Sequence, residues 1–486
     1  MTEPAVSLVC EGCGAVPPPL AEAPYPFRCA RAGLDTIDHV VAPHVNASRA
    51  SWPTDTDDRP FVRYRTLLHA HAAARELGLG DAGYLAILER LDAAITRVDG
   101  RSFRTTPLVR SPAIAEALHP EYDVWIKDET RNVSGSHKAR HLFGVLLHLE
   151  IARAAGLEPI PPPPLAIASC GNAALAAAVL AAAAERRLSV MVPPDAHPAV
   201  LGRLRDLGAD VHVIPRAPGE LGDPTLHAFR QATAAGALPF ACQGTECGLT
   251  LDGGKTLGFE LASSAVPFDR LFLQIGGGAL ASSVARALAD AHHLGALPRM
   301  PRLMAVQTTA VAPLSAAYAR LVEAVRSRLR GPASPDVHLR GGESAGPDVR
   351  LREDALTASP GDALADRLRA PDIAPIVRAV LDDMTRDRAA WLPPWPDPRP
   401  SRAHGILDDE TYDALAILRA MIATGGSPVV VDETTVIEAE QLGRTATSID
   451  VDATGTAGLA GLMAWSRRGD SAKGERIALL LTGARR

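Results

Sequence analysis

The sequence predicts an α/β protein of two domains built on open, parallel-rich sheets, and three observations carry that expectation. At 486 residues the chain is longer than one hydrophobic core organises. From Leu165 onward, short β-like runs alternate with apolar-periodic helical stretches, the pattern of βαβ units. Two strand-to-helix junctions, Ser169-Cys170-Gly171-Asn172 and Gly276-Gly277-Gly278-Ala279-Leu280, carry small and polar residues that expose backbone rather than fill a core.

Composition narrows the function classes. Apolar residues make up 47% of the chain and charged ones 22%, so most of it is expected to fold. The net charge is −6 and Lys and Arg are scattered, which lacks the footprint of a nucleic-acid binder and leaves a small molecule as the expected partner. No run of eighteen apolar residues suggests a membrane span. Glu3 and Glu11 interrupt any signal-like apolar start, so a cytoplasmic location is expected. Six cysteines in so long a chain are expected to be reduced thiols. Cys10-Glu11-Gly12-Cys13 is a CxxC knuckle, and Cys29 begins what would be a second, but Ala32 stands in the place of its other thiol. Zinc wants four ligands, and His39 or Asp35 could complete the set. The preferred reading is a degenerate zinc ribbon that holds no metal, with Cys10, Cys13 and Cys29 as weak candidates.

Residues 1–60 read as a small Pro- and Ala-rich N-terminal element with a linker. Helices are predicted over Tyr64 to Leu77 and Tyr84 to Val98. The strand Leu165 to Ala168 leads through its polar turn into an Ala-rich helix over Ala173 to Arg186, whose small residues suit close packing. Strand Ser189 to Val192, helix Ala199 to Leu207, strand Val211 to Ile214 and helix Thr225 to Ala235 follow. A second series begins with strand Arg270 to Ile275, the glycine turn and helix Ala281 to His292, then strand Leu303 to Val306. Residues 323–402 break into Pro-, Gly- and Arg-rich sequence with one clearer helix, Ile373 to Met384, and read as an insertion that is partly loop. Asp408-Asp409-Glu410 reads as the acidic start of a helix. Strands Val429 to Val431 and Ile477 to Leu481 complete the pattern.

Three sites carry chemistry. In Ser134-Gly135-Ser136-His137-Lys138 a lysine follows turn-forming residues and opens a helical pattern, where the macrodipole disfavours a cation. A solvated surface lysine is the plain alternative. Three successive glycines at Gly276 to Gly278, followed by Ala279 and Leu280, let backbone N–H groups close on an anion at a helix N-terminus, which suits a phosphate better than an empty turn. The pattern is neither a Walker loop nor a dinucleotide fingerprint. Ser169-Cys170-Gly171-Asn172 could bind a carboxylate, although as an isolated motif it reads as a helix cap.

Taken together, these segments resemble the fold-type II pyridoxal-phosphate enzymes, the tryptophan synthase β-like group that includes threonine synthase, serine/threonine dehydratase, serine racemase and cysteine synthase. The resemblance runs from about Phe61 to Arg486 apart from the insertion. It implies a large domain from 61–140 and 245–486, a small one at 141–244, and pyridoxal 5'-phosphate in the cleft between them. Lys138 is then the Schiff-base residue. Asn172 contacts the cofactor's ring hydroxyl, Gly276, Gly277, Gly278, Ala279 and Leu280 form the phosphate loop, and Thr482 of Leu481-Thr482-Gly483 faces the pyridine nitrogen. Ser169, Gly171 and Ser136 are implied substrate contacts, and Cys170 stands where serine racemases carry an opposite-face acid. A hydroxyl partner leaves the ring a weaker electron sink, which suits elimination. The implied reaction has Lys138 removing a Cα proton before a β-substituent departs, with water or another nucleophile completing it.

Phe61-Val62-Arg63-Tyr64-Arg65, Thr106-Pro107-Leu108, Val306-Gln307 and Ala312-Pro313-Leu314 are similar to threonine synthase segments. The lysine's neighbours His137, Ala139 and His141 depart from that pattern, as does Ala484-Arg485-Arg486 after the final TG, which loosens the substrate assignment. The expected activity is a carbon–oxygen lyase acting on a hydroxy or phosphorylated amino acid, as a homodimer. The alternatives are a β-replacement synthase and a non-catalytic partner protein of the same fold.

Overall fold

The longest runs of Leu, Ile and Val become central strands, and the sheet they form has both faces covered. The computed structural model describes residues 4–217, 222–330, 361–468 and 474–485. A six-stranded sheet runs in the order β11 (Pro428–Val431), β10 (Arg302–Thr308), β9 (Arg270–Gln274), β12 (Arg476–Leu481), β4 (Asp123–Asp128), β3 (Leu108–Arg110). All its pairings are parallel except β3 with β4. Leu271, Leu273, Leu303, Ala305 and Leu480 point to one core, whereas Phe272, Met304, Val306, Leu479 and Leu481 point to another. This two-sided burial is why these strands read as continuous apolar runs.

A second sheet of four parallel strands has the order β7 (Asp210–Val213), β6 (Leu188–Val192), β5 (Leu165–Ala168), β8 (Leu238–Pro239). Near the N-terminus, β1 (Val6–Cys10) pairs antiparallel with β2 (Val41–Val45). The chain is thus the expected α/β protein with parallel sheets.

Two sequence expectations are corrected. The helix predicted over Tyr64 to Leu77 breaks into a turn of helix at Pro60–Arg63, a 3₁₀ turn at Arg65–Leu67 and a helix at His69–Glu76. The break has a distant cause: the buried Asp252 carboxylate accepts from the His69 and Ala70 N–H groups at 2.9 and 3.1 Å, starting a new helix there. The segment read as a partly looped insertion is more helical than expected. Besides the expected helix, found at Ala374–Arg386, Pro313–Arg330 and Asp362–Leu368 are helices, and Val377, Val380 and Met384 pack into the same core as β9 and β10. Residues 331–360 lie outside the described residues.

One buried network fixes the geometry around Lys138. Arg140, two residues into the Lys138–Ala154 helix, donates through Nε and Nη2 to Glu129 (2.8 and 2.9 Å) and through Nη1 to Glu260 (2.6 Å). Lys127, at the end of β4, donates to Glu260 at 2.5 Å and to the Thr106 carbonyl at 2.6 Å. Thr106 donates its hydroxyl to Glu129, and Asn132 donates its amide to the same carboxylate. Burial alone would raise the Glu129 carboxyl, but the Arg140 charge more than offsets it and holds the carboxyl below its ordinary range. Arg140→Met should therefore leave two carboxylates facing one lysine in the core. We expect a loss of about 3–5 kcal/mol in urea unfolding, and a loss under 1 kcal/mol would show that the network is not what holds this region.

Candidate active site

Four chain segments leave parallel strands at their carboxyl ends and converge on one cleft, where open α/β sheets bind ligands. They follow β4, β5, β9 and β12, and the cavity between them has a volume of about 320 Å3. Lys138, Asn172, Gly276 to Leu280 and Thr482 all line it.

Lysine is scarce here, with only four against fifty Lys and Arg together. Lys127 and Lys255 are buried in ion pairs with Glu260 and Asp290, and Lys473 lies outside the described residues. Lys138 is half-buried in the cleft wall, and its amine pairs with no described residue. Its backbone is set by a tight turn. Ser134 and Gly135 adopt left-handed φ of 53° and 69°, and the Ser134 N–H is held by Asp99 at 2.9 Å. The chain after β12 then runs beside this turn, pairing Gly483 with Ser136 and donating the Ala484 N–H to the Gly135 carbonyl. His137 donates its N–H and, from Nδ1, its ring proton to the Thr482 carbonyl (3.2 and 3.1 Å). Burial first, and the Lys138 charge second, lower the His137 pKa well below its ordinary value, so its ring is neutral. His141 is pushed down to about 3 by the same two causes.

The Thr482 hydroxyl has a determined role. Gln274, the last residue of β9, sets its amide nitrogen among the carbonyls of Thr454, Gly455 and Leu480, so Nε2 must stand there. From that position it donates to Thr482 Oγ1 at 2.6 Å. Thr482 accepts on one side and is left with its own proton to donate. Asn172 begins the Asn172–Ala183 helix and lies against Gly483, where an added Cβ would stand 2.5 Å from the Asn172 Nδ2.

The glycine turn is covered from above by residues 406–413. Gly278 has φ of +103°, and a Cβ on Gly276 or Gly277 would strike Asp408 at 2.3 Å or the Tyr412 ring at 2.8 Å. Asp413 donates its N–H to the Gly277 carbonyl, Thr411 its hydroxyl to the Gly276 carbonyl, and Asp408 accepts the Gly277 N–H. Asp408 and Asp409 were expected to start a helix, and this is corrected: the helix begins at Ala414, and both acids line the cleft instead. Anchoring of 411–413 to the glycine turn delays the helix. Burial pushes the Asp408 carboxyl up to about 6, while Lys138 draws it the other way.

Ser169, Cys170 and Gly171 also line the cleft. Burial, followed by the Asp195 charge, raises the Cys170 thiol and keeps it protonated. Ser136, expected as a substrate contact, is not in the cleft: it is fully buried behind Lys138, paired with Gly483 and with its hydroxyl unpartnered. Cys10, Cys13 and Cys29 come together elsewhere, beside His39. Gln274 and Asp408 were not foreseen as site residues. The scarcity of lysine was a signal available for Lys138; Gln274 gave none beyond a polar residue ending an apolar strand.

A cleft with one unpaired lysine, a hydroxyl donor and a helix-terminal glycine turn defines an α/β protein equipped to hold a carbonyl-bearing, anionic heterocycle. The family model described as pyridoxal-phosphate dependent enzyme matches residues 101–352, and the chain belongs to that family. It is similar to threonine synthase of Synechocystis sp., 30% identical over 212 residues, which are 43% of this chain and 51% of that one. It is also similar to the biosynthetic L-threonine dehydratase of Haemophilus influenzae, 26% identical over 196 residues, 40% of this chain and 35% of that one. The matches thus span about half or less of these curated relatives. Among solved structures, maize serine racemase superposes with a TM-score of 0.52 at 15% identity, covering 82% of this chain and 95% of that one. Threonine deaminase isoform 2 from Solanum lycopersicum gives 0.53 at 14% identity, covering 84% and 90%. At these identities the likeness is one of fold.

The residues present fit pyridoxal phosphate. The amine, the amide, the hydroxyl with its proton free, and the helix-terminal glycines offer the donors that its aldehyde, ring and phosphate require. Two outcomes follow. Gly483→Ala should push the Asn172 amide aside and weaken cofactor binding roughly tenfold, about 1.4 kcal/mol, in a titration of the apoprotein; unchanged affinity would show that Asn172 makes no contact. Asp408 is ionised above about pH 6 and then opposes a phosphate on the glycine turn, so wild-type affinity should fall as pH rises through that value. Asp408→Asn should bind the cofactor more tightly than wild type at pH 8, with the ratio approaching one below pH 5. A ratio that does not change with pH would exclude this coupling.

Proposed function

We propose that the protein is a pyridoxal-phosphate-dependent carbon–oxygen lyase that eliminates a β-substituent from a hydroxy amino acid. The observation that carries the reading is the pairing of Lys138, unpaired in the cleft, with a Thr482 hydroxyl that accepts from Gln274 and keeps its own proton to donate. When bound, the cofactor supplies an aldehyde that condenses with amines and a ring that accepts electrons from the Cα–H bond. Lys138 would hold the aldehyde, Asn172 the ring hydroxyl, Thr482 the ring nitrogen, and Gly276 to Leu280 the phosphate.

Each residue then has a task. Lys138 takes the proton from the substrate Cα once its amine is released, helped by neighbouring His137 and His141 rings that stay neutral. Thr482 donates a hydrogen bond without giving up its proton, because a hydroxyl is far too weak an acid to protonate a pyridine. A ring nitrogen held by Thr482 would stay unprotonated, and expelling a β-group would then be favoured over storing charge at Cα. Ser169 and the N–H groups of the following turn receive the substrate carboxylate. Cys170, held as a thiol, can give a proton to the departing β-oxygen.

The cleft also bears on substrate choice. Asp223, Asp408 and Asp409 line it, against Lys138 and Arg216. With the cofactor's own phosphate to accommodate, a second phosphate is poorly served, which supports unphosphorylated serine or threonine over phosphohomoserine. A cytoplasmic homodimer belongs to the same proposal. It is compatible with there being no described helix long and apolar enough to cross a membrane, and light scattering tests the oligomer.

The purified protein should show a visible cofactor absorbance that is lost in Lys138→Ala; a colourless wild type given excess cofactor would overturn the enzyme reading. Incubated separately with serine, threonine, phosphohomoserine and acetylserine, it should release 2-keto acid fastest from serine or threonine. Phosphate release with threonine as product would favour a synthase instead, and capture of an added thiol at Cβ would favour β-replacement.

A further inference from the structure

The N-terminal element contains a second constructed site. Cys10 ends β1, and the turn after it is closed by the Cys10 N–H to the Ala15 carbonyl and the Gly14 N–H to the Cys10 carbonyl, both 2.8 Å. Gly12 is obligatory in that turn, since a Cβ would stand 2.1 Å from the Asp38 carbonyl oxygen. The turn brings Cys10 and Cys13 to Cys29 and His39, and the four ligand atoms all lie within 4.8 Å of one another. Cys10, Cys29 and His39 are buried and Cys13 is half-buried.

The spacing suits a particular ion. Zinc bonds of about 2.3 Å to sulfur and 2.0–2.1 Å to nitrogen in a tetrahedron set sulfur–sulfur edges of about 3.8 Å and sulfur–nitrogen edges of about 3.5–3.6 Å. Cys13 Sγ and Cys29 Sγ are 3.7 Å apart, and Cys10 Sγ and His39 Nδ1 are 3.3 Å apart. The histidine's tautomer is also arranged. Asp35 Oδ1 lies 2.9 Å from His39 Nε2 and accepts its N–H, which leaves the Nδ1 lone pair free on the side of Cys10 Sγ. Ala32, where a second knuckle would place a thiol, is not required, because His39 supplies the fourth ligand.

Residues interleaved with these ligands reach the cofactor cleft from two sides. Glu11, between the knuckle cysteines, pairs with Arg286 of the Ala279–His293 helix, which the glycine turn begins. Asp38, beside His39, holds Arg388 at 2.8 Å, and Arg388 donates to the carbonyls of Tyr412 and Thr411, the residues that cover the glycine turn.

We propose that Cys10, Cys13, Cys29 and His39 bind one structural zinc ion, and that this site clamps the glycine turn through Glu11–Arg286 and Asp38–Arg388. Four protein ligands leave no open position, so the ion does no chemistry on substrate. Zinc binding does not rest on the lyase reading, and cofactor retention is measured independently of turnover.

The test is metal analysis of the full-length holoprotein, followed by cobalt substitution. About one zinc ion per chain is expected, with the intense visible bands of a tetrahedral, thiolate-rich cobalt site. Zinc near zero with no such cobalt spectrum, or a Cys13–Cys29 disulfide in its place, would overturn the site. Asp35→Ala keeps all four ligands and should weaken zinc roughly 10- to 100-fold in competition with a chromophoric chelator; unchanged affinity would overturn the assigned geometry. His39→Cys, which offers four thiols, should fold and bind zinc; a folded His39→Cys chain without zinc would overturn the ligand set. For the clamp, zinc-stripped protein should release pyridoxal phosphate on dialysis at least tenfold faster than the zinc form. Equal release rates with zinc fully removed would overturn the clamp while leaving the site.

Discussion

The cleft depends on Arg140. Its guanidinium is fully buried between Glu129 and Glu260, with Lys127 on the far side of Glu260, so two carboxylates and two cations are buried together. Such a cluster is costly to desolvate and a poor source of net stability compared with well-packed apolar residues. What it provides is position. Glu129 follows β4, Thr106 precedes β3, Glu260 belongs to the Thr250–Ala262 helix, and Arg140 sits two residues beyond Lys138. Joining these four segments leaves the turn between Asn132 and Lys138 little freedom, and the left-handed backbone at Ser134 and Gly135 persists because its surroundings over-determine it. The lysine is therefore delivered to the cleft by an ion network rather than by loop packing.

From that anchor the remaining parts are assembled by backbone contacts. The segment after β12 lies between the lysine turn and the Asn172 helix, so Thr482 touches both by position alone: its carbonyl receives His137, and its successor Gly483 makes room for Asn172. The glycine turn is tied to residues 411–413 in the same way. Its absent side chains permit Asp408 and Tyr412 to close over it, so the glycines serve chain packing as well as any bound anion.

What was legible in the sequence was local. β5 was read with its observed bounds, and the turns after β5 and β9 were recognisable because glycine, serine and asparagine are chosen there by the backbone itself. What escaped was decided at a distance. The Tyr64 to Leu77 helix has an unbroken apolar pattern, and only Asp252, far along the chain, interrupts it. Asp408 carries an acidic-helix-start pattern that contacts with the glycine turn override. By sequence His39 and Asp35 are both candidate fourth ligands, and with His39 lying 29 residues from Cys10 no motif spacing chooses between them; the folded contact with Cys10 does. Ser136 was assigned by its place in a motif, whereas its extended backbone pairs with Gly483 and its side chain is fully buried.

The position of Gln274 gives the chemistry of the cleft its direction. A hydroxyl at the end of β12 could accept a proton from a charged ring nitrogen or donate one to a neutral nitrogen, and the two cases favour different reactions. Three backbone carbonyls around Gln274 Nε2 admit a donor and exclude the amide oxygen, so the amide cannot turn over to suit either case. Thr482 already accepts that donor at 2.6 Å on one of its two lone pairs, and its own proton is available to donate. The direction of the Gln274–Thr482 hydrogen bond is thus set by the backbone carbonyls of Thr454, Gly455 and Leu480. Replacing Thr482 by a carboxylate would reverse it only at the cost of placing a negative charge against those same carbonyl oxygens.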